Sequence, residues 1–440
     1  MPSRRPSIRF ASLLTLAPLI APGCADRTIA PGDSANPTIP PQILVEGNYN
    51  EGGVFPPDLP SVSTHLVAEV ADGWTVDQIN ATWGTETVAI LEGTPFALLR
   101  MPWPYDYEIF ARELLSNGAC VTCGLDYLIQ TPESEQGSIS FYEGDLVGED
   151  MADQGAFERV RLQQAHTAAT GAGVVIAIID TGVDFTHPDL APVLSPSGYD
   201  FLDGDADPTD EIDGLDEDVD GVADEASGHG THVAGIAHAV APNATILPIR
   251  ILDSEGVGTV FAVAQGILYA VDEGAHVVNL SLGFTGTSRV VEYAVQHAED
   301  AGVFLAASAG NGGAATQAHF PASLATVAAV AATDDEDLKA SFSNYGSYIM
   351  VSAPGEGIIS TYLFQGYAVW SGTSMAAPFV AGAAALAIEA GVAATPEQIR
   401  TEIQAASSRL PHEGQIYEGM MGSGRFDARR LVALLIETGY

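Results

Sequence analysis

Four unbroken apolar runs set the tightest limit on how this chain can fold. One is Val174-Val175-Ile176-Ala177-Ile178-Ile179, and the others are His276-Val277-Val278-Asn279-Leu280, Val303-Phe304-Leu305-Ala306-Ala307 and Ala325 to Ala331. A strand with one wet face alternates apolar and polar residues, whereas a continuous apolar strand needs cover on both faces. Helical patterns fall between and after these runs: His229 to Val240, Val260 to Glu273, Arg289 to Ala301, Ser374 to Ala390, Thr395 to Ala406 and Phe426 to Thr438. The spacing predicts an α/β domain over 154–440, with a mostly parallel central sheet between two helical layers. With 440 residues, 47% of them hydrophobic, the chain can bury such a core and still carry accessory segments. No internal repeat is visible.

The N-terminal part reads differently. Residues 1–23 have the form of an export signal: Arg4, Arg5 and Arg9, an apolar stretch from Phe10 to Ile20, then small residues before Cys24. The apolar stretch is too short to span a bilayer. Arg4-Arg5 hints at twin-arginine export, but the residues after it fit the general route better. Leu19-Ile20-Ala21-Pro22-Gly23-Cys24 resembles a lipobox with Ala21 where leucine is usual, so lipidation of Cys24 and simple cleavage both stay open. Residues 24–61 form a Pro/Gly-rich linker.

Residues 62–132 then read as a small α+β unit. Strands are expected at His65 to Val70, Val88 to Leu91, Phe96 to Met101 and Tyr127 to Gln130, and helices at Thr75 to Trp83 and Tyr105 to Ser116. That β-α-β-β-α-β order is ferredoxin-like. An acidic linker, 133–153, joins the unit to the large domain. Cys120 and Cys123 are at most half a zinc site, and a local disulfide is the expectation for an exported chain.

Charge narrows the partners. Acidic residues number 57 against 16 basic ones, a net of −41, and Lys339 is the sole lysine. Nucleic acid and anionic membrane surfaces are disfavoured as electrostatic partners. A well-solvated, exported monomer is expected, working in high salt or with bound calcium.

Four polar residues stand at the ends of the predicted elements. Asp180 follows the first apolar strand, where active residues of parallel sheets collect, although Asp is also common in turns. His229 opens a helix in Gly228-His229-Gly230-Thr231-His232, with His232 one turn along as an alternative. Asn311 ends a strand in Ser308-Ala309-Gly310-Asn311-Gly312, which an ordinary turn would also explain. Ser374 lies in the first turn of an Ala-rich helix, beside unpaired N–H groups that suit either a cap or a nucleophile that generates an oxyanion. Together they supply an orienting carboxylate, a general base, an amide donor and a nucleophile, in the chain order Asp-His-Ser.

The segments DTGVD, GHGTHVAG, SAGNGG and GTSMAAPFVAG resemble the signature blocks of the subtilisin-like serine proteases, and VAPNATILPIRILD, VVNLSLG and FSNYGSYIMVSAPG fit as well. The resemblance covers about 155–440. It implies Ser374 as nucleophile, His229 as base, Asp180 as orienter, and Asn311 with the Ser374 N–H as the oxyanion hole. It implies that Gly256-Val257-Gly258 and Ser281-Leu282-Gly283 flank an extended polypeptide substrate, and that His232 is a packed structural residue. The ferredoxin-like unit would be the inhibitory propeptide, an intramolecular inhibitor removed by cleavage between Gln130 and Phe157. A lipid on Cys24 would give a membrane anchor that this cleavage releases. A calcium-dependent surface binding protein with a latent protease fold is the alternative.

One departure concerns calcium. The 49 positions from Asp180 to His229 are more than usual in the family, the excess being the acidic stretch Asp200 to Glu225. Within it Asp216, Asp218, Asp220 and Asp224 have the D-x-D-x-D-G spacing of a calcium loop, but Ser227 stands where an EF-hand has its bidentate glutamate. Asp203, Asp205 and Asp207 form a second alternating triplet. A structural calcium is expected at the first set, and a solvated acidic loop is the other reading. Asp189 matches a ligand of the family's strong calcium site, yet the loop that would complete it is missing after Ile236.

Overall fold

The computed structural model describes residues 61–102, 106–133, 142–143, 151, 154–215, 223–315, 319–391, 395–411, 417 and 419–438. The expectations for the leader and for Cys24 lie outside these residues.

The small unit runs β1 (Ser61–Val70), α1 (Val76–Trp83), β2 (Glu86–Ile90), β3 (Phe96–Arg100), α2 (Tyr107–Ser116) and β4 (Cys120–Gln130). Helix α1 starts at a capping box between Thr75 and Gln78, and Asp106 caps α2. The expected element order is present, but β4 is longer than the Tyr127–Gln130 run and takes in both cysteines. A register shift between Glu69 and Val70 bulges β4, and Cys120 and Cys123 both lie in the unit's core. They are free thiols there, not the expected disulfide. The Cys120 thiol, hydrogen-bonded to Cys123, and burial together push the Cys123 thiol up.

After β5 (Tyr142–Glu143), α3 (Gly155–Arg159) and α4 (Leu162–Ala165), the chain enters the large domain. There it forms β6 (Val175–Asp180), β7 (Tyr199–Asp200), α5 (His229–Val240), β8 (Thr245–Arg250), β9 (Val257–Thr259) and α6 (Val260–Asp272). Next come β10 (Val277–Leu280), α7 (Arg289–Asp300), β11 (Phe304–Ser308), β12 (Val327–Thr333) and β13 (Val351–Pro354). The hairpin β14 (Ile358–Tyr362) and β15 (Gly366–Trp370) precedes α8 (Thr373–Glu389), α9 (Pro396–Ala406) and α10 (Ala428–Thr438).

Seven strands form one parallel sheet, in the order β13-β12-β11-β10-β6-β8-β7. Alternate residues of each strand enter opposite cores. Ile176, Ile178, Val277, Phe304 and Ala306 pack with α5 and α8, while Ala177, Ile179, Val278, Leu305 and Ala307 pack with α6 and α7. Both faces are therefore apolar, and the strands read as unbroken runs. The three-layer α/β architecture follows from that single constraint. Strand β8 was not among the expected strands because Pro248 interrupts its pattern; only the two-residue β7 lies beyond it, so the lost N–H is cheap.

The small unit lies on the α6–α7 face. Phe96 meets Tyr293 with ring centroids 5.3 Å apart, and Val67, Leu98 and Ile129 join the same core. The buried Asp126 carboxylate accepts the Phe261 N–H at 3.1 Å, at the start of α6; burial lifts its pKa to about 7 against the opposing pull of that bond. Strand β4 also pairs antiparallel with β9, so the unit's sheet continues into the large domain as β2-β3-β1-β4-β9.

Helix α8 is buried from Thr373 to Ala387 and crosses α5 closely. A Cβ at Gly382 would lie 2.5 Å from Val240 Cβ. Gly382→Val should therefore force the two helices apart and cost about 1–3 kcal/mol, the usual range for overpacking. Denaturant unfolding of the two proteins checks this as a lower midpoint for the variant.

Candidate active site

The site forms where β6, β10 and β11 end and α5 and α8 begin. Asp180 is the last residue of β6 and His229 the first of α5; both are fully buried, with Nδ1 of His229 2.7 Å from Asp180 Oδ1. Asp180 Oδ1 also accepts the Thr181 N–H at 2.8 Å. The helix start is held by Asp210, whose carboxylate accepts from Gly228 N, Thr231 N and Thr231 Oγ1 at 3.0, 3.3 and 2.8 Å. Burial lifts the Asp210 pKa to about 7 against those three bonds, with the Asp180 charge adding to the lift. Gly228 has φ +85°, and a Cβ there would collide with the Tyr362 ring at 2.2 Å. Only glycine lets the chain turn into α5 at that point.

Ser374 is the second residue of α8 and is fully buried. Pro378 has no N–H to give to the Ser374 carbonyl four residues earlier. That carbonyl instead accepts from Ser281 Oγ at 2.9 Å, which ties α8 to the end of β10. Asn311 follows β11, and its Oδ1 accepts both Thr373 N and Thr373 Oγ1 at 2.9 Å. Those two donors fix the amide orientation and leave Nδ2 aimed into the site.

One carboxylate meets three of these groups. Glu133, just past β4, accepts from Ser374 Oγ at 2.6 Å on Oε2, which also lies 3.2 Å from His229 Nε2, and its Oε1 accepts from Asn311 Nδ2 at 2.9 Å. Glu133 opens the expected acidic linker 133–153, where its sequence context suggests no role. One acidic residue among many carried no signal, and only its distance from the cleft-bound strand singles it out.

The two segments expected to flank a substrate lie on either side of the chain's own residues 128–131. Val257 and Gly258 of β9 pair with Gln130 and Ile129, and Gly256 O accepts the Thr131 N–H at 3.0 Å. On the other side Gly283, next to Ser281 and Leu282, exchanges both backbone bonds with Gln130 at 3.2 and 2.9 Å. The chain's own residues 128–131 thus lie as a strand between the two segments.

His232 takes no part in this constellation. Its Nε2 lies 3.1 and 3.2 Å from the Ile358 and Ala368 carbonyls, its ring is parallel to Trp370, and burial lowers its pKa to about 3. Asp216, Asp218 and Asp220 lie outside the described residues. Asp224 turns its carboxylate onto the N–H groups of Asp213 and Gly214, closing the loop locally. Among the described residues no group of three or more His, Cys, Asp or Glu could hold a metal. Asp189 accepts from Tyr367 OH at 2.6 Å.

A family model for the subtilases matches residues 171–424, more than half of the chain. The chain belongs to the subtilase family. Thermitase from Thermoactinomyces vulgaris is 41% identical over 285 residues, covering 62% of this chain and 94% of that protein. Subtilisin Savinase from Lederbergia lenta is 38% identical over 262 residues, covering 57% of this chain and 90% of that protein. A solved protease structure from Pseudoalteromonas arctica superposes with a TM-score of 0.58 at 31% identity, over 65% of this chain and 98% of that one. The subtilase is accordingly a serine endopeptidase, with polypeptides as its substrates. No described helix of it is long and apolar enough to cross a membrane.

In the subtilase as it stands, with Glu133 in the site, burial alone would keep His229 neutral. The charge and hydrogen bond of Asp180, joined by those of Glu133, outweigh burial and lift the pKa from 6.5 to about 10. A histidine raised in the folded state stabilises it fully below its ordinary pKa, and that contribution fades as pH rises through the folded value. The uncleaved protein should therefore keep a charged His229 at pH 8 and lose this contribution near pH 10. Ring-nitrogen NMR of the uncleaved chain across pH 6–11 checks it.

Proposed function

We propose that this subtilase is made as an exported zymogen and removes its own N-terminal region with the site described above. Ser374 Oγ attacks the scissile carbonyl, and His229 Nε2 takes its proton and later returns it to the leaving amine. Asp180 holds Nδ1–H and stabilises the imidazolium. The Asn311 amide and the Ser374 N–H receive the oxyanion, whose stabilisation is usually the largest single contribution to such catalysis. The peptide binds as an added strand between Gly256–Gly258 and Ser281–Gly283, a mode that rests on main-chain bonds and tolerates many sequences.

The observation that carries the zymogen reading is β4 itself, which leads residues 128–131 between those two segments and brings Glu133 to Ser374 and His229. Residues 62–132 act as the propeptide, 133–153 hold the maturation site, and 154–440 form the catalytic domain. Export is supported by the leader at 1–23, and a lipid on Cys24 would tether the precursor until cleavage frees the enzyme. Three reacting groups, those of Ser374, His229 and Asn311, meeting at one carboxylate favour an enzyme over a calcium-dependent binding protein. We take the enzyme to be a monomer.

Intact-mass analysis tests this reading. Wild-type protein without its leader should lose roughly the first 130–155 residues, within the size range of a separate small domain, while Ser374→Ala stays whole. Two folded proteins that both stay whole would defeat self-cleavage.

We propose in addition that calcium is held in the acidic loop by Asp216, Asp218 and Asp220, on their D-x-D-x-D spacing. Asp224, the fourth carboxylate of that pattern, accepts from the Asp213 and Gly214 N–H groups. The ion would offset the repulsion among these carboxylates. Chelation with EGTA should lower the mature enzyme's thermal midpoint by several degrees, and added calcium should restore it; an unchanged midpoint would remove calcium from the account.

A further inference from the structure

Glu133 lies where the reacting atoms of a substrate would be, yet it gets there by its side chain. The main chain is extended and paired through Gln130 and Thr131, then turns at Pro132 and Glu133. Beyond that turn the side chain reaches back into the reaction centre. Oε1 accepts from Asn311 Nδ2, standing in for the oxyanion, while Oε2 accepts from Ser374 Oγ and faces His229 Nε2, standing in for the second oxygen of a carboxylic product. The fit is close: a Cβ at Gly372 would lie 1.7 Å from Glu133 Oε1. The side chain is 15% exposed, and its carboxylate contacts the side chains of Ser374, His229 and Asn311.

We propose that Glu133 is a carboxylate plug that keeps the uncleaved chain latent. This rests on the reading of Asp180, His229, Asn311 and Ser374 as the catalytic set. It goes beyond steric cover by the propeptide, because it names one side chain and one charge as the block. Three functions are engaged together. The Ser374 hydroxyl donates to the plug and is no longer held by a base. The imidazole is kept in its charged form, which cannot accept the serine proton. The Asn311 donor is already used. A main-chain carbonyl of residues 130–133 cannot occupy the oxyanion position until Glu133 leaves it. Release of the Glu133 side chain is then the step that starts maturation, ahead of any bond cleavage. The same centre would recognise acidic peptides that present a glutamate side chain just after a strand docked in the cleft.

The test uses the full precursor without its leader, as wild type, Glu133→Gln and Glu133→Ala, with a fluorescent fluorophosphonate as the serine probe. Labelling of the uncut band and its conversion to the mature band are followed on the same gel. Glutamine keeps the size of the plug and removes its charge. Both variants should label the uncut precursor at least about tenfold faster than wild type, the change matching one charge-assisted hydrogen bond. Their His229 ring should titrate lower than in the wild-type precursor, a shift that mere loosening of the propeptide would not produce while the strand pairing of Gln130 persists. Wild-type labelling rates in Glu133→Gln, with the fold intact by circular dichroism, would overturn the plug. Should Glu133→Ala fail to fold, the glutamine variant alone decides. A wild-type enzyme that stays unlabelled after an added protease has removed the propeptide would sink the catalytic reading instead.

Discussion

The Asp180–His229 contact is the constraint on which the rest of the structure depends. It joins the end of a buried strand to the start of a buried helix, with both side chains sealed from water. A buried carboxylate and imidazole at 2.7 Å tolerate little slack, since either one left unpaired would be strongly destabilising. The surroundings are shaped accordingly. A Cβ on Gly230 would lie 2.2 Å from the Gly182 carbonyl, so the α5 backbone can sit directly on the loop after β6. Asp210, from the distant acidic stretch, caps that helix and sets where its first residue points. His232, one turn on, is locked between two carbonyls and Trp370, which keeps α5 from rotating. The position of one imidazole is thus fixed by a strand, a loop, a helix and a hairpin.

The acidic stretch gains a mechanical role from the same contact. Arg250, at the end of β8, is nearly buried and binds Asp200 at 2.7 Å, with Asp203 at 3.4 Å and Glu211 at 3.2 Å. Burial would weaken its charge, but the hydrogen bond and charge of Asp200 with the other two carboxylates raise its pKa. A buried guanidinium facing three carboxylates pins the loop that delivers Asp210. In a chain with 16 basic residues against 57 acidic ones, placing one of the few arginines here is a costly use of positive charge. It ties surface acidity to the geometry of the site.

What could be read from the sequence and what could not divide along physical lines. The parallel sheet was legible because burial on both faces leaves a local trace, the unbroken runs of β6, β10 and β11. The long apolar helix behind Ser374 was legible for the same reason. Strand β8 was hidden by Pro248, tolerated only because the neighbouring β7 is so short. Nothing in the composition reveals the bulge in β4 that buries Cys120 and Cys123 in one core, where both remain free thiols. Asp210 and Glu133 were missed for a different reason. Each acts across a large sequence separation, 21 residues to Thr231 and 241 to Ser374, and sits among many similar acids. Side chains that work at a distance leave no periodicity to find.

On the proposal that the small unit is an inhibitory propeptide, strand addition also explains why a unit that blocks the cleft must be blocked itself. Residues 128–131 use the same main-chain bonds that a substrate would use, so affinity for the cleft and susceptibility to attack rise together. Tighter pairing cannot separate binding from cleavage. A separation requires something at the reaction centre that a substrate lacks, and it must act on the reacting groups rather than on the strand. A carboxylate held by the serine hydroxyl, the imidazole and the asparagine amide meets that requirement, because it draws on the affinity of the site for a product-like anion without offering a bond to break. The turn at Pro132 and Glu133 is what converts a bound strand into that anion. Latency, on this view, resides in the three residues after β4 and not in the folded unit before it.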